Sequence, residues 1–200
     1  GGWQLWQRYD RQEREKISAQ FVAAQRISNP RDAANAFVDL AGGKGYGEIA
    51  RLSQASAMFA AGQRKEAIDL YKEIAARDNG PVGSVARLRA AWALAETASR
   101  SELAELLKPL DKPGSPWREN AAEILAFADY KAMDLKSAQA KYAALAVNPE
   151  APDALKARAK AMADYLKTGG AVTYGSVPPE VIPPPPQAVA APATAPAKPQ

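Results

Sequence analysis

Three apolar positions recur along the chain: Ala67, Tyr71 and Ile74 return as Leu103, Leu107 and Leu110, then as Ala138, Tyr142 and Leu145, at steps of 36 and 35 residues. Ala33, Phe37 and Leu40 stand 34 residues before the first set, and Ala55, Ala91 and Ala126 repeat with the same steps of 36 and 35. A period near 35 residues is the length of a helical hairpin, and a hairpin of that size cannot bury its apolar face alone. The pattern therefore predicts stacked hairpins sharing one seam, an all-α solenoid whose product is surface for other polypeptides. Within each set the spacing of four and three places the side chains on one helix face. The small residue lets the paired helix approach, and the aromatic or leucine fills the gap to the next hairpin.

With 200 residues, 47% of them hydrophobic, the chain has material for one domain and its core. The net charge of +4 is mild, and the basic residues alternate with acids, as in Arg8, Asp10, Arg11, Glu13, Arg14, Glu15 and Lys16. That mixture reads as a solvated helix face and not as a phosphate-binding patch, so no nucleic-acid partner is expected. Cysteine and histidine are both absent. This removes thiolate nucleophiles, the usual acid–base group near neutral pH and the commonest zinc ligands. No catalytic, cofactor or metal residue is assigned, and neither an enzymatic activity nor a small-molecule substrate is expected. Gly45, Gly47 and Ala50 satisfy G-x-G-x-x-A, with Asp69 downstream. A dinucleotide fingerprint must follow a strand, however, whereas this one follows a predicted helix. Lys44 is followed by glycine, not by the serine or threonine of a phosphate-binding loop.

Start and stop signals divide the chain into helix pairs predicted at 3–27 with 31–40, 46–61 with 64–77, 82–98 with 101–110, and 117–132 with 135–147, closed by a charged capping helix at 152–167. Asn29, Pro30 and Asp32 give an N-cap, an N1 proline and a first-turn acid, and Ser115 with Pro116 repeats the arrangement. Ser99 and Glu102 have capping-box spacing, Gly62 marks a hairpin turn, and Gly80 with Pro81 closes a helix. No stretch alternates apolar and polar residues for long enough to predict a strand. Three regions follow: 1–28 as membrane exit and N-terminal helix, 29–168 as the repeat domain, and 169–200 as a disordered Pro/Ala-rich tail, in which Pro183 to Pro186 favour polyproline II.

The N-terminal region begins Gly1, Gly2, Trp3, Leu5, Trp6 and turns at once to Arg8 and Arg11. Small and aromatic residues followed by charge read as the exit of a membrane span. A span needs about 20 apolar residues, and no such run is present, so either the chain is soluble or, the reading favoured, a transmembrane helix precedes Gly1.

Ala55, Gly62, Ala67 and Tyr71 together resemble the tetratricopeptide repeat, with a small residue in the first helix, glycine at the turn, alanine in the second helix and an aromatic four residues on. Met133 stands where that glycine is expected, Leu103 replaces the alanine, and Asp129 occupies a place that is usually apolar. At finer grain, the exit at Gly2 to Trp6, the stretch Gly45 to Ala57 (GYGEIARLSQASA) and the run Pro113 to Asp134 (PGSPWRENAAEILAFADYKAMD) are similar to the YfgM-related proteins, ancillary subunits of the Sec translocon, in particular their alphaproteobacterial branch. The resemblance covers about residues 1–170. It implies a single-pass anchor in the inner membrane and a periplasmic repeat domain that contacts translocon subunits and hands emerging chains to periplasmic chaperones. A related repeat domain implies the alternative, a scaffold coordinating cell-envelope or division machinery. Both are protein-binding roles without catalysis.

In such solenoids the partner usually lies in the groove lined by the first helices. On the equivalent face this chain carries Ile49, Leu52, Ser56 and Phe59, then Val85, Leu88, Trp92 and Ala95, then Asn120, Glu123, Phe127 and Tyr130, with Arg89 as a nearby charged anchor. Two readings of this apolar face stay open from the sequence: a core covered by the long N-terminal helix, or a hydrophobic binding strip.

Overall fold

The computed structural model describes residues 2–42 and 46–169; for residues 2–12 only the backbone is described. Among the described residues the helices are α1 (Gly2–Gln25), α2 (Pro30–Ala41), α3 (Gly47–Ala60), α4 (Arg64–Arg77), α5 (Pro81–Leu94), α6 (Arg100–Leu107), α7 (Arg118–Lys131), α8 (Leu135–Val147) and α9 (Asp153–Lys167), with no strand. Residues 170–200 of the Pro/Ala-rich tail, and Lys44 and Gly45 of the glycine pattern, lie outside the described residues. Gly47 opens α3 after the helix α2, so the pattern has no strand before it. Among the described residues no helix is long and apolar enough to cross a membrane.

The repeat positions are the core. All fifteen side chains named at the repeat and its alanine companion, from Ala33 to Leu145, are between 0% and 7% exposed. Consecutive helices pack on one another, and α3 also packs on α5, α5 on α7 and α7 on α9. That alternate contact is the progression of a helical-hairpin solenoid, with α3, α5, α7 and α9 as its continuous inner row. Short connections make successive helices antiparallel, so the members of this row run in the same direction.

Local chemistry explains where the helices begin. The Asn29 side chain accepts from the N–H groups of Arg31 and Asp32, with Pro30 in the first turn of α2. Ser99 and Glu102 form the full reciprocal capping box on α6. Asp78 does what neither Gly80 nor Pro81 can do: its carboxylate accepts from the N–H of Gly80 at 2.6 Å and of Gly83 at 3.1 Å, capping α5. Gly83 is required there, because a Cβ would stand 1.7 Å from the Asp78 carbonyl oxygen.

Three boundaries differ from the sequence expectation. Helix α7 starts after Trp117 and not at Ser115 and Pro116, which form the preceding turn, with the Ser115 hydroxyl accepting from the Trp117 N–H. Helix α6 stops at Leu107, since Pro109 has no N–H to donate back, and Leu110 is still buried in the turn that follows. Helix α5 gives way after Leu94 to a turn leading into the Ser99 cap.

Candidate functional site: an aromatic and cationic cleft on the inner helix row

Helix α5 supplies the centre of the site. Leu88 and Trp92 are about 40° apart around the helix, and that rotation separates their fates. Leu88, on the side of Ala91, is 8% exposed and packs with Leu103, Leu107, Ala121 and Ile124. It belongs to the seam between hairpins and not to the groove in which the sequence placed it. Trp92, turned the other way, is 44% exposed. Ile49 is exposed, and Leu52, Ser56, Phe59, Phe127 and Tyr130 are half-buried, whereas Glu123 and Ala95 are buried.

The exposed and half-buried rings form one continuous strip. Trp92 lies 6.1 Å from Phe127 and Phe127 6.2 Å from Tyr130, ring centroid to centroid, so the aromatic row crosses from α5 to α7. On the other side of Trp92, Phe59, Arg64, Tyr71, Arg89, Trp92 and Ala93 line a cleft of about 340 Å³. The Arg64 guanidinium sits 4.7 Å over the Phe59 ring and donates to the Ala93 carbonyl at 3.4 Å. Arg89 donates to the Ser56 hydroxyl, which also accepts from the Tyr71 phenol at 3.1 Å. A second depression of about 490 Å³ continues from Ser56 and Arg89 past Ala57 and Ala60 to Phe37 on α2 and to Ala24, Gln25 and Ile27 at the end of α1. Thus α1 borders one end of the groove. Its own core contacts, through Phe21 and Ala24, are with Ala33, Phe37 and Leu40 of α2 and with Ala50. None of the described residues of α1 lines the cleft at Trp92.

This is a surface with flat aromatic faces and two guanidinium groups, and it has the makings of a polypeptide site. Among the described residues no cluster of acidic side chains has the arrangement of a metal site. Residues 1–124 match the family model of the tetratricopeptide repeat-like domain. The chain belongs to this tetratricopeptide repeat-like family. No curated protein and no solved structure matches the chain. The family match ends inside α7, while the packing of this tetratricopeptide repeat-like chain carries the same hairpin logic on through α8 and α9.

Two members of the cleft escaped sequence reasoning. Tyr71 is a repeat position and is buried, yet its phenol reaches the groove at Ser56. Arg64 is the first residue of α4, and its partner Ala93 is 29 residues away. No local signal marks that pairing. At the far end of the row the departures from the repeat pattern are ionic. Buried Glu123 takes a two-pronged hydrogen bond from Arg158 of α9, at 2.9 Å for each prong, and these bonds hold the Arg158 guanidinium above its ordinary pKa. Burial, with the Glu123 charge behind it, pushes the Tyr142 phenol upward.

Proposed function

We propose that this protein is a docking platform for polypeptides on the periplasmic face of the inner membrane, assisting translocation and handing secreted chains to chaperones. The observation that carries the binding part is the aromatic row beside Arg64 and Arg89, in which Trp92 is 44% exposed and Phe127 and Tyr130 are half-buried, in a fold whose large apolar residues mostly form the seam. Repeat scaffolds of this kind present side chains to partners and carry no chemistry of their own. The membrane and translocon part is supported by the sequence resemblance and by the Gly, Trp and Arg order at the N-terminus, which suits the residues just outside a span.

Extended segments with an occasional aromatic or acidic residue suit the cleft. Aromatic rings pack against their side chains, and Arg89 and Arg64 meet a carboxylate. Such a site tolerates many sequences, as a carrier of emerging chains must. The test is a photo-crosslinking residue placed at position 92 of the full-length chain in cells. Adducts with translocon subunits, periplasmic chaperones and emerging chains support the proposal. Adducts confined to division or wall-synthesis proteins favour the scaffold reading instead, and no adducts at all would remove the cleft from the account.

A further inference from the structure

The cleft has a candidate occupant within the same chain. We propose that the proline segment Pro178–Pro186 docks onto the aromatic row in the free protein and competes there with polypeptides from outside. The inference rests on the reading of the cleft as a polypeptide site. The segment lies outside the described residues; its sequence and the position of the α9 C-terminus carry the inference.

Position comes first. Arg158 on Glu123 pins α9 beside α7, and the two short connections through α8 make them parallel. Their C-terminal ends therefore share one rim of the solenoid. Phe59, Trp92, Phe127 and Tyr130 all fall in the last turns of helices ending at Ala60, Leu94 and Lys131, so the aromatic row runs along that same rim. The chain leaves α9 there, at Lys167.

Reach is sufficient. Helices in contact lie about 8–10 Å apart, and Trp92 is two helices along the inner row from α9. That makes a gap of about 20 Å. Gly169 and Pro183 are 14 residues apart. A linker of that length has a typical end-to-end distance of about 20 Å and a stretched limit of about 46 Å. No strain is needed to bring the prolines over Trp92 and Phe127.

The chemistry matches as well. Consecutive prolines hold an extended left-handed helix whose order is largely prepaid, and flat aromatic grooves are the surfaces that such helices recognise. Between residues 170 and 197 the single charged residue is Glu180, next to the two prolines 178 and 179. The charged groups lining the cleft are Arg64 and Arg89. The one carboxylate of the segment is opposite in charge to the two guanidinium groups of the cleft.

Intramolecular docking presents the segment at an effective concentration of about 1 mM, so for an intrinsic Kd of about 0.1 mM the cleft would be occluded about tenfold. The experiment uses the full chain and a variant of it carrying Pro183→Ser, Pro184→Ser, Pro185→Ser and Pro186→Ser. The Trp92 indole N–H resonance, assigned with Trp92→Phe, is compared between the two, and a synthetic peptide of residues 176–190 is titrated into each. Docking predicts that the Trp92 resonance moves in the serine variant and that the variant binds the peptide about tenfold more tightly than the parent. An unmoved resonance with equal peptide affinity in both proteins would overturn the internal docking while leaving the cleft a peptide site. No shift and no binding to either would overturn both. A resonance position that changes with protein concentration would place the segment of a second copy in the cleft and overturn the intramolecular proposal.

Discussion

Asp129 is the residue that most departs from what its place in the repeat calls for. It is 2% exposed at a position where an apolar side chain is usual, yet it accepts from Ser137 Oγ at 2.7 Å, from Lys141 Nζ and from Arg100 Nε. One carboxylate thereby ties the end of α7 to the first residue of α6 and to the first two turns of α8. Burial pushes its pKa up, but the hydrogen bonds from Lys141, Ser137 and Arg100 outweigh that and hold it below the ordinary aspartate value. A carboxyl with a lowered folded pKa stabilises the fold above its unfolded pKa and loses that stabilisation as pH falls through the folded one. Asp129→Asn should therefore cost about 2 kcal/mol near neutral pH. Below about pH 4, chemical denaturation should show that difference shrinking. Met133 is the second departure, and its φ of 62° with 60% exposure shows the cost of standing in for a turn glycine, which Gly62 pays less for at φ 84°. Met133→Gly should raise stability by about 1 kcal/mol, read as a higher melting temperature.

Among the elements, α5 holds its neighbours together. Arg87 points away from the cleft and donates to the Ala75 carbonyl near the end of α4 at 2.7 Å and to the Leu106 carbonyl near the end of α6 at 3.0 Å. A cation at two helix C-termini satisfies orphan carbonyls and opposes both dipoles. Arg87→Met keeps much of the stem and removes the donors, so unfolding in urea should report a loss of about 2 kcal/mol. Much of the element layout is legible in the sequence, because a 35-residue period and caps such as Asn29 and Ser99 act locally. What stayed illegible is long-range. The partners of Arg87, Arg64, Asp129 and Glu123 lie between 8 and 35 residues away, and no spacing rule points to them. Leu88 was misplaced for a related reason: helical periodicity gives a face, but a rotation of about 40° decides between seam and groove.

At the scale of the whole molecule, labour is divided between two apolar surfaces. The seam, made of residues such as Ile74, Leu103, Leu107 and Ile124, holds the hairpins together. The rim, made of Trp92, Phe127 and Tyr130 with two arginines, is the surface we propose for another polypeptide. Part of this was readable from the sequence, which named Ile49 and Trp92, now exposed, and Phe59, Phe127 and Tyr130, now half-buried, while the choice between covered core and open strip needed the path of α1, which borders the groove and does not line the Trp92 cleft. The most direct test is the melting of Trp92→Ala beside that of Ile124→Ala, each followed by partner capture from position 127 crosslinking. Ile124→Ala should lower stability by about 2–5 kcal/mol, whereas Trp92→Ala should leave melting nearly unchanged and cut capture sharply. If instead Trp92→Ala unfolds the domain as Ile124→Ala does, the rim is core and the platform has no face to offer.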